Sequence, residues 1–131
     1  LGRLDILKEG LKEQIADETF LLYSGDDPTS TEFILKGGSG TISVTANVVP
    51  SLISEICTLA LLGDREKAIL LNSRLEKLNA LLFIESNPIP VKWILNRLGR
   101  VPEGLRLPLT TLDEKYYDQM ELLLSELSLL N

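Results

Sequence analysis

Leu4, Leu7, Leu11 and Ile15 recur at spacings of three and four, which predicts an amphipathic helix at the start of the chain. Gly10 sits inside that stripe and weakens it. The period then changes. Phe20-Leu21-Leu22-Tyr23 is a short apolar run that ends in Ser24-Gly25-Asp26-Asp27-Pro28, a turn-rich segment. Such a run between two helices reads as a strand of a parallel sheet, buried on both faces. A second helix is predicted over Pro28 to Lys36, with two competing start signals. Either Asp27 caps it with Pro28 as the first helical residue, or Thr29 caps it with Glu32 closing a capping box. Gly37-Gly38 stop it. Thr41-Ile42-Ser43-Val44-Thr45 is β-branched at four of five positions and reads as a second strand.

After Asn47 the pattern is helical throughout. Pro50 to Leu62 carries apolar residues at 52, 53, 56, 59 and 60 and ends at Gly63. Asp64 to Phe83 reads as one longer helix, with Leu71, Leu75, Leu78 and Leu82 on a shared face. Asn87-Pro88-Ile89-Pro90 reads as a rigid connection, because each proline fixes its φ and biases the residue before it towards extended backbone. A short helix from Val91 to Leu98 holds the sole tryptophan, Trp93, and closes at Gly99. Arg100 to Thr111 reads as a loop. Asp113 then caps a last helix with apolar positions Tyr116, Met120, Leu123, Leu127 and Leu130.

Helix–strand–helix–strand is the repeating unit of α/β architecture. Two strands alone make a poor open sheet, since each needs a neighbour or a cover at its outer edge. The sequence therefore calls for strands that another chain or a larger fold supplies.

Composition narrows the chemistry. The 131 residues are 44% hydrophobic and 24% charged, the mix of a globular protein. Thirteen scattered basic residues against nineteen acidic ones give a net charge of −6, which disfavours a nucleic-acid groove or an anionic membrane surface. A single cysteine leaves no internal disulfide and suits a reducing, cytoplasmic compartment. The absence of histidine removes imidazole metal ligands, Ser-His and Cys-His nucleophile pairs and imidazole acid–base chemistry. No metal or other cofactor is expected. Apolar runs such as Leu59 to Leu62 fall far short of the roughly 20 residues of a bilayer span. The N-terminus, Leu1-Gly2-Arg3-Leu4-Asp5, has neither an initiator Met nor a signal-peptide core, and starts as though cut from something longer.

Four blocks carry a resemblance. They are Leu22-Tyr23-Ser24-Gly25-Asp26-Asp27, Gly40-Thr41-Ile42-Ser43-Val44-Thr45-Ala46-Asn47, Asn87-Pro88-Ile89-Pro90-Val91-Lys92-Trp93 and Leu105-Arg106-Leu107-Pro108-Leu109-Thr110. In this order and spacing they resemble the C-terminal part of the dihydrodipicolinate synthase family, over essentially the whole chain. Within the pyruvate-aldolase superfamily the second and third blocks favour the synthase over sialic acid lyase. The resemblance implies an α/β fold, the last two strands of an eight-stranded TIM barrel over residues 1–62, with a C-terminal helical extension over residues 63–131. It implies a cytoplasmic homotetramer that condenses pyruvate with aspartate β-semialdehyde in lysine biosynthesis through a lysine Schiff base. In the family that lysine, the tyrosine–threonine–tyrosine relay and the carboxylate-binding arginine lie upstream of the positions matching this chain. No catalytic residue is therefore expected here, and the chain alone is expected to be inactive. Two other readings stay open: another class I pyruvate aldolase, and a non-catalytic assembly module.

Active-site groups of TIM barrels sit at the C-terminal ends of the strands, which selects Ser24-Gly25-Asp26 and the segment from Ile42 to Asn47. By resemblance, Gly25 lines the substrate pocket and the main-chain carbonyl of Ile42 faces the pyruvate end. Gly25 reads equally as a turn glycine, and the Ile42 side chain alone reads as core. Asp26 and Asp27 do not make a catalytic carboxylate pair, since neighbours on a strand point opposite ways. Gly37-Gly38-Ser39-Gly40 runs from helix to strand, the wrong polarity for a phosphate cradle. Lys92 on a helix reads as structural, Cys57 as a small core residue, and Tyr116 and Tyr117 as packing and rim residues.

Overall fold

A computed structural model of the protein describes residues 1–129. Leu130, expected on the last helix, lies outside the described residues. The chain divides into two compact units, one of Leu1–Ser43 with Ser51–Arg74, the other of Val44–Pro50 with Leu75–Asn131.

The first unit opens with α1 (Gly2–Gly10) and α2 (Lys12–Ala16). The single predicted helix is broken at Leu11, whose φ of −117° and ψ of 23° leave the helical region directly after Gly10. Of its stripe only Leu4 is buried. Strands β1 (Tyr23–Ser24) and β2 (Gly40–Thr41) pair in parallel with Tyr23 opposite Gly40 and Ser24 opposite Thr41. The parallel sheet agrees with the sequence; the burial does not. Leu22 and Ser24 are buried while Phe20, Leu21 and Tyr23 are about half exposed. Alternation sets Leu21 and Tyr23 on the face opposite Leu22 and Ser24, and only the second face is buried.

Between the strands lies α3 (Asp27–Leu35). Its N-cap position is Asp26, in extended conformation, and Asp27 is the first helical residue. Neither predicted cap forms: Thr29 donates its hydroxyl to the Asp26 carboxylate, and Glu32 pairs with Arg65 at 2.7 Å. The end is as predicted. The Gly38 amide donates to the Phe33 carbonyl and the Gly37 amide to that of Ile34, with Gly37 at φ +97°. This Schellman closure recurs at Gly63 and Gly99, each with positive φ.

The second predicted strand stops early. Thr41 pairs, the Ile42 amide still donates to the Ser24 carbonyl at 2.8 Å, and then Val44 turns helical at φ −71° and ψ −42°. Thr45–Asn47 form a 3₁₀ turn. β-Branching favours a strand only where a partner exists, and β1 ends at Ser24, just before α3. Most of α4 (Pro50–Leu61) and all of α5 (Arg65–Ser73) complete the unit around Ile34, Ala60 and Ala68, with half-buried Cys57 against them. Burial pushes the Cys57 thiol above its usual range, in keeping with a packing role.

The predicted long helix from Asp64 to Phe83 is two helices. α6 (Glu76–Leu82) begins after Arg74 and Leu75, where the chain passes from one unit to the other. Leu75, Leu78 and Leu82 are fully buried in the second unit, whereas Leu71 belongs to the first. One apolar stripe thus serves two cores. The remaining helix α7 (Ile89–Arg97) starts two residues earlier than predicted. Pro90 lies in its first turn, where a missing N–H breaks no helical bond. The Asn87–Pro88 and Leu107–Pro108 peptides are cis. The loop before Thr111 is as expected. Asp113 accepts a bond from the Lys115 amide at 3.1 Å and opens a 3₁₀ turn, Glu114–Tyr116, that runs into α8 (Tyr117–Glu126). Leu127 lies just past its end. Helices α6, α7 and α8 pack about Leu78, Leu82, Ile94, Met120 and Leu124, and the Thr45 hydroxyl donates to Asn79 Oδ1 at 2.6 Å inside that unit.

Two exposed caps set a pH response. The side chain and then the amide of Lys67 hydrogen-bond Asp64, and those of Lys115 do so for Asp113, holding both carboxyls below their usual range. A folded value below the unfolded one, about 3.9, means stabilisation present above that value and lost as pH falls through the folded one. The protection of the Lys67 amide, its exchange rate set against the intrinsic rate at the same pH, should therefore fall as the pH is lowered below about 4. Asp64→Asn keeps a good cap without a titrating group and should remove that pH dependence; persistence of it would show that Asp64 is not the source.

Candidate functional site

The C-terminal ends of β1 and β2 place Gly25 and Ile42 one residue beyond the paired Ser24 and Thr41. Hydrogen bonds around Ser24 hold this end. The Ile42 amide donates to the Ser24 carbonyl, the Thr41 hydroxyl donates to the same carbonyl at 3.2 Å, and the Asp26 amide donates to Ser24 Oγ at 3.2 Å. The last of these is a serine turn, which sets the path from β1 through Gly25 into α3. The strand-end rule selects Ser24 but not its part in holding the turn, and it does not select Thr41. The signal was a serine closing a strand two residues before an aspartate, the spacing of such a turn.

Gly25 faces open space: a Cβ built there meets no atom within 4 Å, and its φ lies outside the left-handed region. Neither a clash nor backbone strain in this chain demands glycine. Gly38 is the contrast, since a Cβ there would fall 2.2 Å from the Phe33 ring and 2.9 Å from the Phe33 carbonyl oxygen. The Ile42 side chain is 77% exposed, so the core reading of that side chain fails. It lies past the end of a short ladder, where no described element covers it. Asp26 is exposed and Asp27 buried, the opposed placement expected for neighbours.

Lys92 lies on α7 in the second unit, with Trp93 and Tyr117, whose ring centroids are 5.1 Å apart. Lys115 sits 4.8 Å from the Tyr116 ring centroid. None of these belongs to the strand ends. Among the described residues no helix is long and apolar enough to cross a membrane, and no group of three or more His, Cys, Asp or Glu side chains could hold a metal ion.

Residues 5–127 match the Dihydrodipicolinate synthetase family. The chain is 50% identical over 126 residues to the 4-hydroxy-tetrahydrodipicolinate synthase of Saccharophagus degradans, covering 96% of this chain and 43% of that protein. It is 56% identical over 111 residues to the same-named protein of Methylococcus capsulatus, covering 85% of this chain and 38% of that one. Its fold matches the crystal structure of the chloride-inhibited dihydrodipicolinate synthase from Acinetobacter baumannii complexed with pyruvate. There the TM-score is 0.91 at 40% identity, over 98% of this chain and 43% of the other. The chain thus spans less than half the length of these relatives. With both the sequence blocks and the backbone in agreement, the chain belongs to the dihydrodipicolinate synthetase family.

Proposed function

We propose that this chain forms the closing part of a TIM-barrel lyase that condenses pyruvate with aspartate β-semialdehyde to 4-hydroxy-tetrahydrodipicolinate. In this reading β1 and β2 are the seventh and eighth barrel strands, residues 1–62 belong to the barrel, and residues 63–131 form the helical extension. The carrying observation is the parallel pair itself, which brings Gly25 and Ile42 together at the strand ends where such barrels hold substrate. The relatives' names and the pyruvate in the Acinetobacter baumannii structure support the substrate assignment. Gly25 leaves room for the substrate, and Ile42 offers its main-chain carbonyl towards pyruvate.

The covalent step falls to groups outside this chain. A lysine amine attacks the pyruvate ketone and water leaves; the protonated imine acidifies the methyl C–H, and loss of that proton gives the enamine whose carbon attacks the aldehyde. That lysine and the Tyr/Thr relay belong to the part of the family fold that precedes the positions matched here. A cytoplasmic homotetramer is the expected working form.

The test is a chimera in which this sequence replaces the matching stretch of the Saccharophagus degradans synthase. It should condense pyruvate with aspartate semialdehyde. Borohydride with pyruvate should fix a reduced adduct on the donor's portion of the chimera and none on residues 1–131, whether in the chimera or alone. A soluble chimera that turns over only other aldehydes with pyruvate would move the assignment to another pyruvate aldolase. An adduct on residues 1–131 would overturn the proposed division of labour.

A further inference from the structure

The face of the sheet that carries Gly25 and Ile42 also carries Tyr23. Burial alternates from Leu21 to Gly25, so Leu21, Tyr23 and Gly25 share the uncovered side of β1. The pairing of Tyr23 with Gly40 sets Gly40 and Ile42 on the same side of β2. Tyr23 therefore lies one layer beneath Gly25, roughly 7 Å down the strand.

Glycine stands at both positions that could crowd the Tyr23 ring. Gly40, beside it, is buried although it belongs to the exposed face. The ring is what covers it: a Cβ on Gly40 would fall 2.9 and 3.1 Å from two carbons of that ring. A side chain at position 40 and the ring in this place exclude each other, so Gly40 lets the ring lie across β2. Above the ring, a Cβ on Gly25 would meet nothing within 4 Å, and Tyr23 is 52% exposed. Among the described residues no side chain roofs the ring on the side of the strand ends.

We propose that the Tyr23 ring is the floor of the pyruvate end of the site and fixes its depth. This rests on the barrel reading above and adds a specificity determinant to it. Gly25 opens the space, Ile42 offers its carbonyl at the rim, and the ring ends the space at the methyl group of pyruvate. A 2-oxo acid longer by one methylene meets the ring. One methylene against a fitted apolar wall is discriminated by about 10–200-fold.

The test uses the chimera with the Saccharophagus degradans synthase. Pyruvate and 2-oxobutanoate at equal concentration are trapped with borohydride, and mass spectrometry separates the two reduced lysine adducts, which differ by one methylene. The unmutated chimera should carry the pyruvate adduct almost alone. Tyr23→Val suits a strand and removes the ring. It should raise the 2-oxobutanoate share at least about tenfold. Tyr23→Leu, which leaves more of the space filled, should shift the share in the same direction by less. Tyr23→Phe keeps the ring and should keep the original preference. A residue that merely fills the barrel would lower the thermal midpoint of the valine and leucine variants and leave the adduct ratio unmoved. That result would overturn the proposal, as would a phenylalanine variant with the valine variant's ratio. An unmutated chimera that traps neither acid would overturn the barrel reading, and the floor with it.

Discussion

Replacing Gly25 by valine in the chimera should lower kcat/KM for the condensation by at least about a hundredfold, the scale of loss when a reacting group is displaced by about an ångström. The structure makes this substitution unusually informative. A Cβ at position 25 meets nothing within 4 Å, and the backbone there is not in the left-handed region. Valine therefore costs the fold little, and fewer unfolded conformations even favour it. If Gly25 were only a turn residue between β1 and α3, activity would survive along with stability. If the missing side chain leaves room for substrate, activity falls while the thermal midpoint stays. Retention of activity within about threefold would remove Gly25 from the site, since a filled pocket costs far more.

Leu78→Ala should destabilise the chain by about 2–5 kcal/mol, through lost apolar transfer and the cavity left behind. Leu78 is fully buried in the second unit, in company with Leu82, Ile94, Met120 and Leu124. Against a typical domain stability of about 5–15 kcal/mol, that loss is a large fraction of the whole. The measurement is the urea midpoint at unchanged slope. Leu122→Ala is the control, because Leu122 is 62% exposed and its truncation should cost no more than about 0.5 kcal/mol. Equal losses in the two variants would mean that α6 and α8 do not pack as described.

The helix stops were legible because they are local. Gly37, Gly63 and Gly99 each close a helix through two backbone bonds and a positive φ, a geometry that glycine permits and few other residues do. The helix start at α3 was not. Asp27 lies inside the helix as its first residue, and both members of the predicted capping box have other partners, Glu32 with Arg65 on α5 and Thr29 with Asp26. The choice between a local cap and a distant partner turns on packing that no short window of sequence contains.

The candidate site divides in the same way. Strand-end position was readable from the order of elements, and Gly25 and Ile42 lie where that order places them, one residue past the paired strand ends. The sequence did not reveal that Ser24 organises this end through its carbonyl and hydroxyl, because the partners of the carbonyl, Thr41 and Ile42, lie seventeen and eighteen residues further along the chain.

By itself the sequence determined the glycine stops, the parallel pairing of two short strands and the family, because these rest on contacts within a few residues, on the order of elements, or on ordered blocks. Only the tertiary structure decided that the stripe from Leu71 to Leu82 splits between two units, that Val44 turns helical, and that the Ile42 side chain is exposed. The physical reason is common to all three. An apolar or β-branched residue states a preference for burial or extension, but the neighbour that satisfies it is chosen by the fold.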